Sequence, residues 1–188
     1  MSKILVDTID TRSGTSTLTL GSSNAGTIAL GSGDVQSNFL QPSFFAYNNA
    51  SQTGLTNDAY VKVQINVEVY DSDSCYDNST NYRFTPTVAG KYFVFASAFI
   101  RAENGAGNLE VTRVAIYKNG SINNISSKLD FSNNPAVEHA YGISQIVDMN
   151  GSSDYIELYV RPSAAAGNVQ VKVDGNDRSY FGAYRIGT

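Results

Sequence analysis

"GKYFVFASAFI", Gly90 to Ile100, is the stretch whose reading decides the fold. Nine successive residues, Tyr92 to Ile100, carry no charge. Side chains alternate between the two faces of a strand. One phase holds Tyr92, Val94, Ala96, Ala98 and Ile100, and the other holds Phe93, Phe95 and Phe99. Antiparallel sheets commonly bury one face and wet the other. This segment is apolar on both, so its second face requires a cover of its own.

The surrounding sequence extends the same pattern. "AYVKVQINVEVY" (59–70) alternates Val61, Val63, Ile65, Val67 and Val69 with Lys62, Gln64, Asn66 and Glu68, which predicts one half-buried strand. Further strands are predicted at 43–47, 82–85, 91–101, 109–118, 125–131, 139–148, 154–161, 168–173 and 179–186. Asn104-Gly105, Asn119-Gly120, Asn150-Gly151 and Asp174-Gly175 punctuate them as turns. No amphipathic helix is evident. About ten strands within residues 42–188 predict an all-β antiparallel sandwich of jelly-roll type.

Residues 1–41 read differently. "TLTLGSSNAG" (17–26) and "TIALGSGDVQ" (27–36) align in a ten-residue register, with Leu18 over Ile28 and Leu20 over Leu30. Ile4 and Val6 fit an earlier, degenerate copy. A flexible Gly/Ser linker is the competing reading. Apolar residues recurring at fixed places favour a short repetitive β-stem that other chains complete.

Composition narrows the function. Charged residues are 16% of the 188, and the net charge is −4, against a usual charged share of about 25%. No basic footprint for nucleic acid is present. Cys75 and His139 are the only cysteine and histidine, so no Cys/His zinc cluster can form within one chain. The N-terminus lacks the apolar core of a secretory signal, and no run approaches a membrane-spanning length. These readings predict a chain made in a cytoplasm, without membrane insertion.

Three segments resemble the C1q/TNF-like jelly rolls. In "YRFTPTVAGKYFVFASAFI" (82–100) the likeness is carried by Tyr82, Phe84, Pro86, Gly90, Tyr92 and Phe93. "SQIVDMNGSSDYIELYV" (144–160) resembles the family's later hairpin, and "SYFGAYRI" (179–186) its closing strand. The resemblance implies a homotrimer. It implies that Phe93, Phe95, Ser97 and Phe99 point toward neighbouring subunits, with Tyr180, Gly182 and Tyr184 facing the three-fold axis. Gly182 would allow close approach of an aromatic ring.

"SKILVDTIDTRSGTSTLTLGSSNAGTIALGSGDV" (2–35) resembles the opening of short structural proteins from tailed phages of marine bacteria. The expected protein is therefore a trimeric tail fibre or appendage of a virion. Ile4, Val6, Leu18, Leu20, Ile28 and Leu30 would lie in the stem that docks on other virion proteins. The head, residues 42–188, would contact a host cell-surface glycan or protein through loops 48–58, 71–80, 102–108 and 132–136. A capsid decoration or head-fibre protein is the alternative. A free C1q-like lectin or adhesin is the alternative from another class.

No catalytic residue and no cofactor are expected. His139 follows Glu138, but no G-x-S-x-G elbow accompanies it. The family alignment leaves open a cluster of three His139 imidazoles on the axis. Asp71, Asp73 and Asp77 in "DSDSCYDNS" hint at calcium. Tyr76 and Tyr82 occupy the places where an EF-hand needs Gly and Glu, so a solvated acidic loop is the favoured reading.

Overall fold

The computed structural model describes residues 41–103 and 107–187. They form thirteen strands and no α-helix: β1 (Ser43–Tyr47), β2 (Gln52–Leu55), β3 (Val61–Lys62), β4 (Val67–Asp71), β5 (Tyr76–Asp77), β6 (Arg83–Phe84), β7 (Gly90–Ala102), β8 (Leu109–Lys118), β9 (Ser121–Asp130), β10 (Glu138–Met149), β11 (Ile156–Ala164), β12 (Val169–Val171) and β13 (Tyr180–Gly187). The stem residues Ile4, Val6, Leu18, Leu20, Ile28 and Leu30 lie outside the described residues.

Two antiparallel sheets face each other. In the first, β7 pairs along its whole length with β10. Its other edge is shared by β13 and β12, and β13 continues to β1 and β4. The second runs β5-β6-β11-β8-β9, with β3 also on β11. Eight of these strands give two four-strand orders, β1-β13-β7-β10 and β6-β11-β8-β9. Apart from the β8–β9 hairpin, successive strands among these eight lie in alternate sheets, which is the connectivity of a jelly roll. The β8–β9 hairpin turns at Asn119 and Gly120, whose φ angles of 51° and 82° are the pair a type I′ turn requires.

The core lies between the sheets. Tyr92, Val94, Ala98 and Ile100 are fully buried, as the alternation of "GKYFVFASAFI" predicts. Phe44 stacks on Tyr76 and Phe84 at 4.4 and 4.6 Å and meets Phe181 edge-on at 5.0 Å. Val114, Ile116, Leu158 and Val160 close the core from the second sheet. The Tyr92 hydroxyl reaches the Val88 carbonyl at 2.7 Å, so its polar end is satisfied.

The structure corrects the reading of 59–70. That segment is two short strands in different sheets: β3 pairs with β11 and β4 with β1. The chain crosses the sandwich between them. Val63 and Ile65 are buried at the crossing, where the Val63 N–H bonds to the Leu158 carbonyl and the Tyr76 hydroxyl to that of Ile65. Past it the alternation stops tracking burial, and Val69 is 57% exposed.

Candidate assembly face

The outward side of the first sheet carries a field of aromatic rings. The register places Phe45 and Phe95 on either side of Gly182, with Phe93 opposite Tyr184 and Tyr47 opposite Tyr180. Phe95 is the hub. Its ring centroid lies 6.1 Å from Phe45 and Phe93, 6.3 Å from Tyr180 and 6.5 Å from Tyr184. Phe45, Phe93, Phe95 and Tyr184 are half-buried. Ile146 and Tyr70 at the flanks are 56% and 48% exposed.

Gly182 makes this packing possible. A Cβ there would stand 2.5 Å from Phe95 Cζ and 3.1 Å from the Phe44 carbonyl oxygen. Any side chain would push the hub ring off its strand. The close approach expected at Gly182 is thus made by an aromatic of the same chain, one strand away.

Beyond Phe95 the surface steps down onto β10. Gly142 and Ser144 are small, and with Phe95 and Tyr180 they bound an open hollow of about 260 Å³. A ridge of rings beside a hollow is a shape into which another ring can insert.

Charges frame the apolar field at its two ends. Lys91 pairs with Asp148 at 2.7 Å at one end. Arg101 and Lys172 share Glu138, at 3.4 and 3.5 Å, at the other. Between them the outward positions of β7, β13 and β1 carry no charge.

Phe99 departs from the other two phenylalanines. It is only 6% exposed, and the Lys172 ammonium stands 5.8 Å over its ring. Its cover comes from β12's flank within the same chain, so it has little surface left to offer a neighbour. Phe45, Tyr70 and Ile146 belong to the face but were not singled out by the sequence. "SFFAY" (43–47) carries the available signal, since Phe44 and Phe45 make both of its phases apolar, as in 92–100.

His139 points the other way, which corrects the expectation of an axial cluster. It pairs with Ile100 in the register, on the inward side of β10. Its Nε2 lies 2.9 Å from Thr112 Oγ1 of the second sheet, and its ring packs against Phe131 and Tyr141 at 4.7 and 4.9 Å. Nδ1 is buried without a partner among the described residues. Burial holds the imidazole pKa down at about 4.

In the acidic loop the carboxylates have local partners. Asp71 Oδ2 accepts the Tyr76 N–H at 2.7 Å. Asp77 accepts the N–H groups of Ser79, Thr80 and Asn81, and these hydrogen bonds hold its carboxyl well below the usual range. Both carboxylates brace turns, while Asp73 stands exposed. Among the described residues no group of three or more His, Cys, Asp or Glu is placed to share a metal ion.

The candidate contact loops divide between the two ends of the sandwich. Loop 48–58 meets the described part of 102–108 where the Gly54 N–H bonds to Glu103 Oε1, residues 104–106 lying outside the described residues, and 132–136 adjoins it where the Leu109 N–H bonds to the Ala136 carbonyl. Segment 71–80 lies at the opposite end, beyond the Phe44–Asp71 pair.

No protein-family model matches the chain, and no curated protein matches it. Among solved structures, it is similar to the crystal structure of murine APRIL at pH 5.0. The TM-score is 0.49 and the identity 9%, over 77% of this chain and 98% of that one. The jelly-roll assignment rests on the strand order rather than on this likeness.

Proposed function

We propose that this chain is a non-enzymatic, homotrimeric structural protein of a phage virion, a tail fibre or similar appendage. The observation that carries the assembly is the uncharged aromatic face around Phe95. Burying a large apolar side chain fully is worth roughly 1.5–3 kcal/mol, and several half-buried rings here retain part of that. Two further copies of the same chain are the proposed cover. The three-fold stoichiometry comes from the C1q/TNF-like resemblance of 82–100, 144–160 and 179–186. The virion setting comes from the resemblance of residues 2–35.

In this reading the N-terminal segment attaches to the particle and the jelly roll projects. Loops 48–58, 102–108 and 132–136, gathered at one end, make the host-surface or protein contact. Surface loops held by a rigid scaffold are where such contacts concentrate.

Native mass spectrometry of the full chain tests the proposal. The expected particle has three times the 20.2 kDa chain mass. A monomer at micromolar concentration overturns it. Counting copies in a purified virion separates the appendage from a capsid decoration: a small multiple of three favours the first, a number on the order of the shell subunits the second.

A further inference from the structure

The second sheet carries a different kind of site on its outward side. Lys128, Arg113 and Arg161 lie directly opposite one another on β9, β8 and β11. Like charges so placed repel, at Cβ separations of about 4.5–5.5 Å. Two of the three are neutralised. Arg161 Nη2 pairs with Asp58 at 3.1 Å, and Lys128 Nζ with Asp130 at 3.0 Å. Arg113, in the middle, has no ion-pair partner among the described residues. Its Nη1 is buried and bonds to nothing there.

This row opens on a cleft of about 270 Å³, whose rim adds Asp58, Glu110 and Ser163. Ser163 Oγ donates to Glu110 Oε2 at 3.4 Å. The cleft thus presents one unpaired planar guanidinium at its centre and oxygen acceptors around it. Arg113 as a whole is half-buried and lines the cleft, and a carboxylate satisfies a guanidinium without an anionic partner through two parallel hydrogen bonds. The flanking carboxylates disfavour a second negative charge. They accept hydrogen bonds from hydroxyl groups instead.

We infer that this cleft binds a polyhydroxylated monocarboxylate, the chemistry of a uronic acid. The carboxylate sits on Arg113, between Arg161 and Lys128, and sugar hydroxyls donate to Asp58 and Glu110. The cleft is about the size of a single sugar ring, and it lies on the opposite sheet from the aromatic face. The inference stands independently of the virion reading.

Calorimetric and NMR titration of the full chain with sodium glucuronate tests it. Saturable binding is expected, with a dissociation constant on the order of millimolar, and with shifts of arginine Nε–Hε resonances. Methyl glucoside, which lacks the carboxylate, should not saturate. Arg113→Gln should weaken glucuronate at least about tenfold, and Arg113→Lys should fall between, since it keeps the charge and loses the fork. Tighter binding of a polyuronate than of the monomer identifies an acidic polysaccharide as the natural source; equal binding identifies the free sugar acid. The inference is overturned if wild type does not saturate with glucuronate or its arginine signals stay fixed. Equal binding by a folded Arg113→Gln, equal binding of methyl glucoside, or tighter binding of inorganic phosphate also overturns it. The arginine resonances of the wild type decide the matter if Arg113→Gln does not fold.

Discussion

The two outward sheet faces share one fold and have opposite chemistry. On the first sheet, Phe45, Phe93, Phe95, Tyr180 and Tyr184 pack into a field with charges only at its ends. On the second, cations stand among the strands and most are matched by carboxylates: Lys62 holds Glu157 at 2.6 Å, and Lys118 holds Asp154 at 2.8 Å. Tyrosines there lie flat, with Tyr117 and Tyr159 stacked at 3.9 Å. The inward faces are alike, since both must be apolar to form one core. Only the outward residues were free to differ, so their difference marks a division of labour. One face is finished largely by ion pairs, and the other lacks a cover among the described residues.

The strongest way to break this contrast is to put a charge on the apolar face. Phe95→Asp should dissociate the assembly or aggregate the protein, because the carboxylate would be buried among rings without a partner. Phe95→Tyr should keep the assembled mass. Sedimentation velocity reads both, and an unchanged sedimentation coefficient for Phe95→Asp would mean that the face is not an interface.

On the other face the converse change removes a charge. Glu157 is 3% exposed, and Lys62→Met would leave it buried and unpaired. A destabilisation of about 3–5 kcal/mol is expected, measured by urea unfolding, with the oligomeric mass unaltered. A loss below about 1 kcal/mol, the level of an exposed pair, would show that this face tolerates charge removal as a fully solvated one does.

Gly182→Ala sharpens the comparison by changing shape without charge. The methyl group must displace the Phe95 ring or the Phe44 backbone. Overpacking of this kind costs about 1–3 kcal/mol, and the displaced ring should also weaken self-association. Gly120→Ala on the second sheet's hairpin strains a turn residue with a φ of 82°, but it should leave association unchanged, because it lies off the aromatic face and the only atom near its Cβ position is the Tyr155 hydroxyl, 3.7 Å away.

Acid should act through the interior rather than through either face. His139 takes up a proton near pH 6.5 in the unfolded chain and only near 4 in the folded one. Between those values the unfolded state binds more protons, so stability falls as the pH falls. It is fully present above about pH 6.5. Thermal melts across that window should show a decline that His139→Gln flattens. An equal decline in the variant would assign acid sensitivity to other groups.

Much of this was legible in residues 90–100. Two apolar phases in one strand announce more apolar surface than one core can bury, and the core takes Tyr92, Val94, Ala98 and Ile100. The Asn119-Gly120 turn was equally legible, because few other residue pairs accept two positive φ angles. The segment 59–70 was not. Its alternation is uninterrupted, yet Val63 to Asn66 cross between sheets, and which sheet claims each half depends on partners outside the segment, in β11 far downstream and in β1 upstream. The cation row of Lys128, Arg113 and Arg161 was likewise invisible, since no spacing in sequence encodes which residues stand opposite across three strands.

The sequence by itself determined the class of fold and the presence of an apolar surplus. Strand alternation and turn chemistry are local, so composition and period reveal them. Only the tertiary structure decided how the surplus was used. It covered Phe99 with Lys172, gathered Phe45, Phe93 and Phe95 over Gly182, and turned His139 inward onto Thr112. Each outcome depends on register between distant strands, where a shift of one residue sends every side chain to the opposite face.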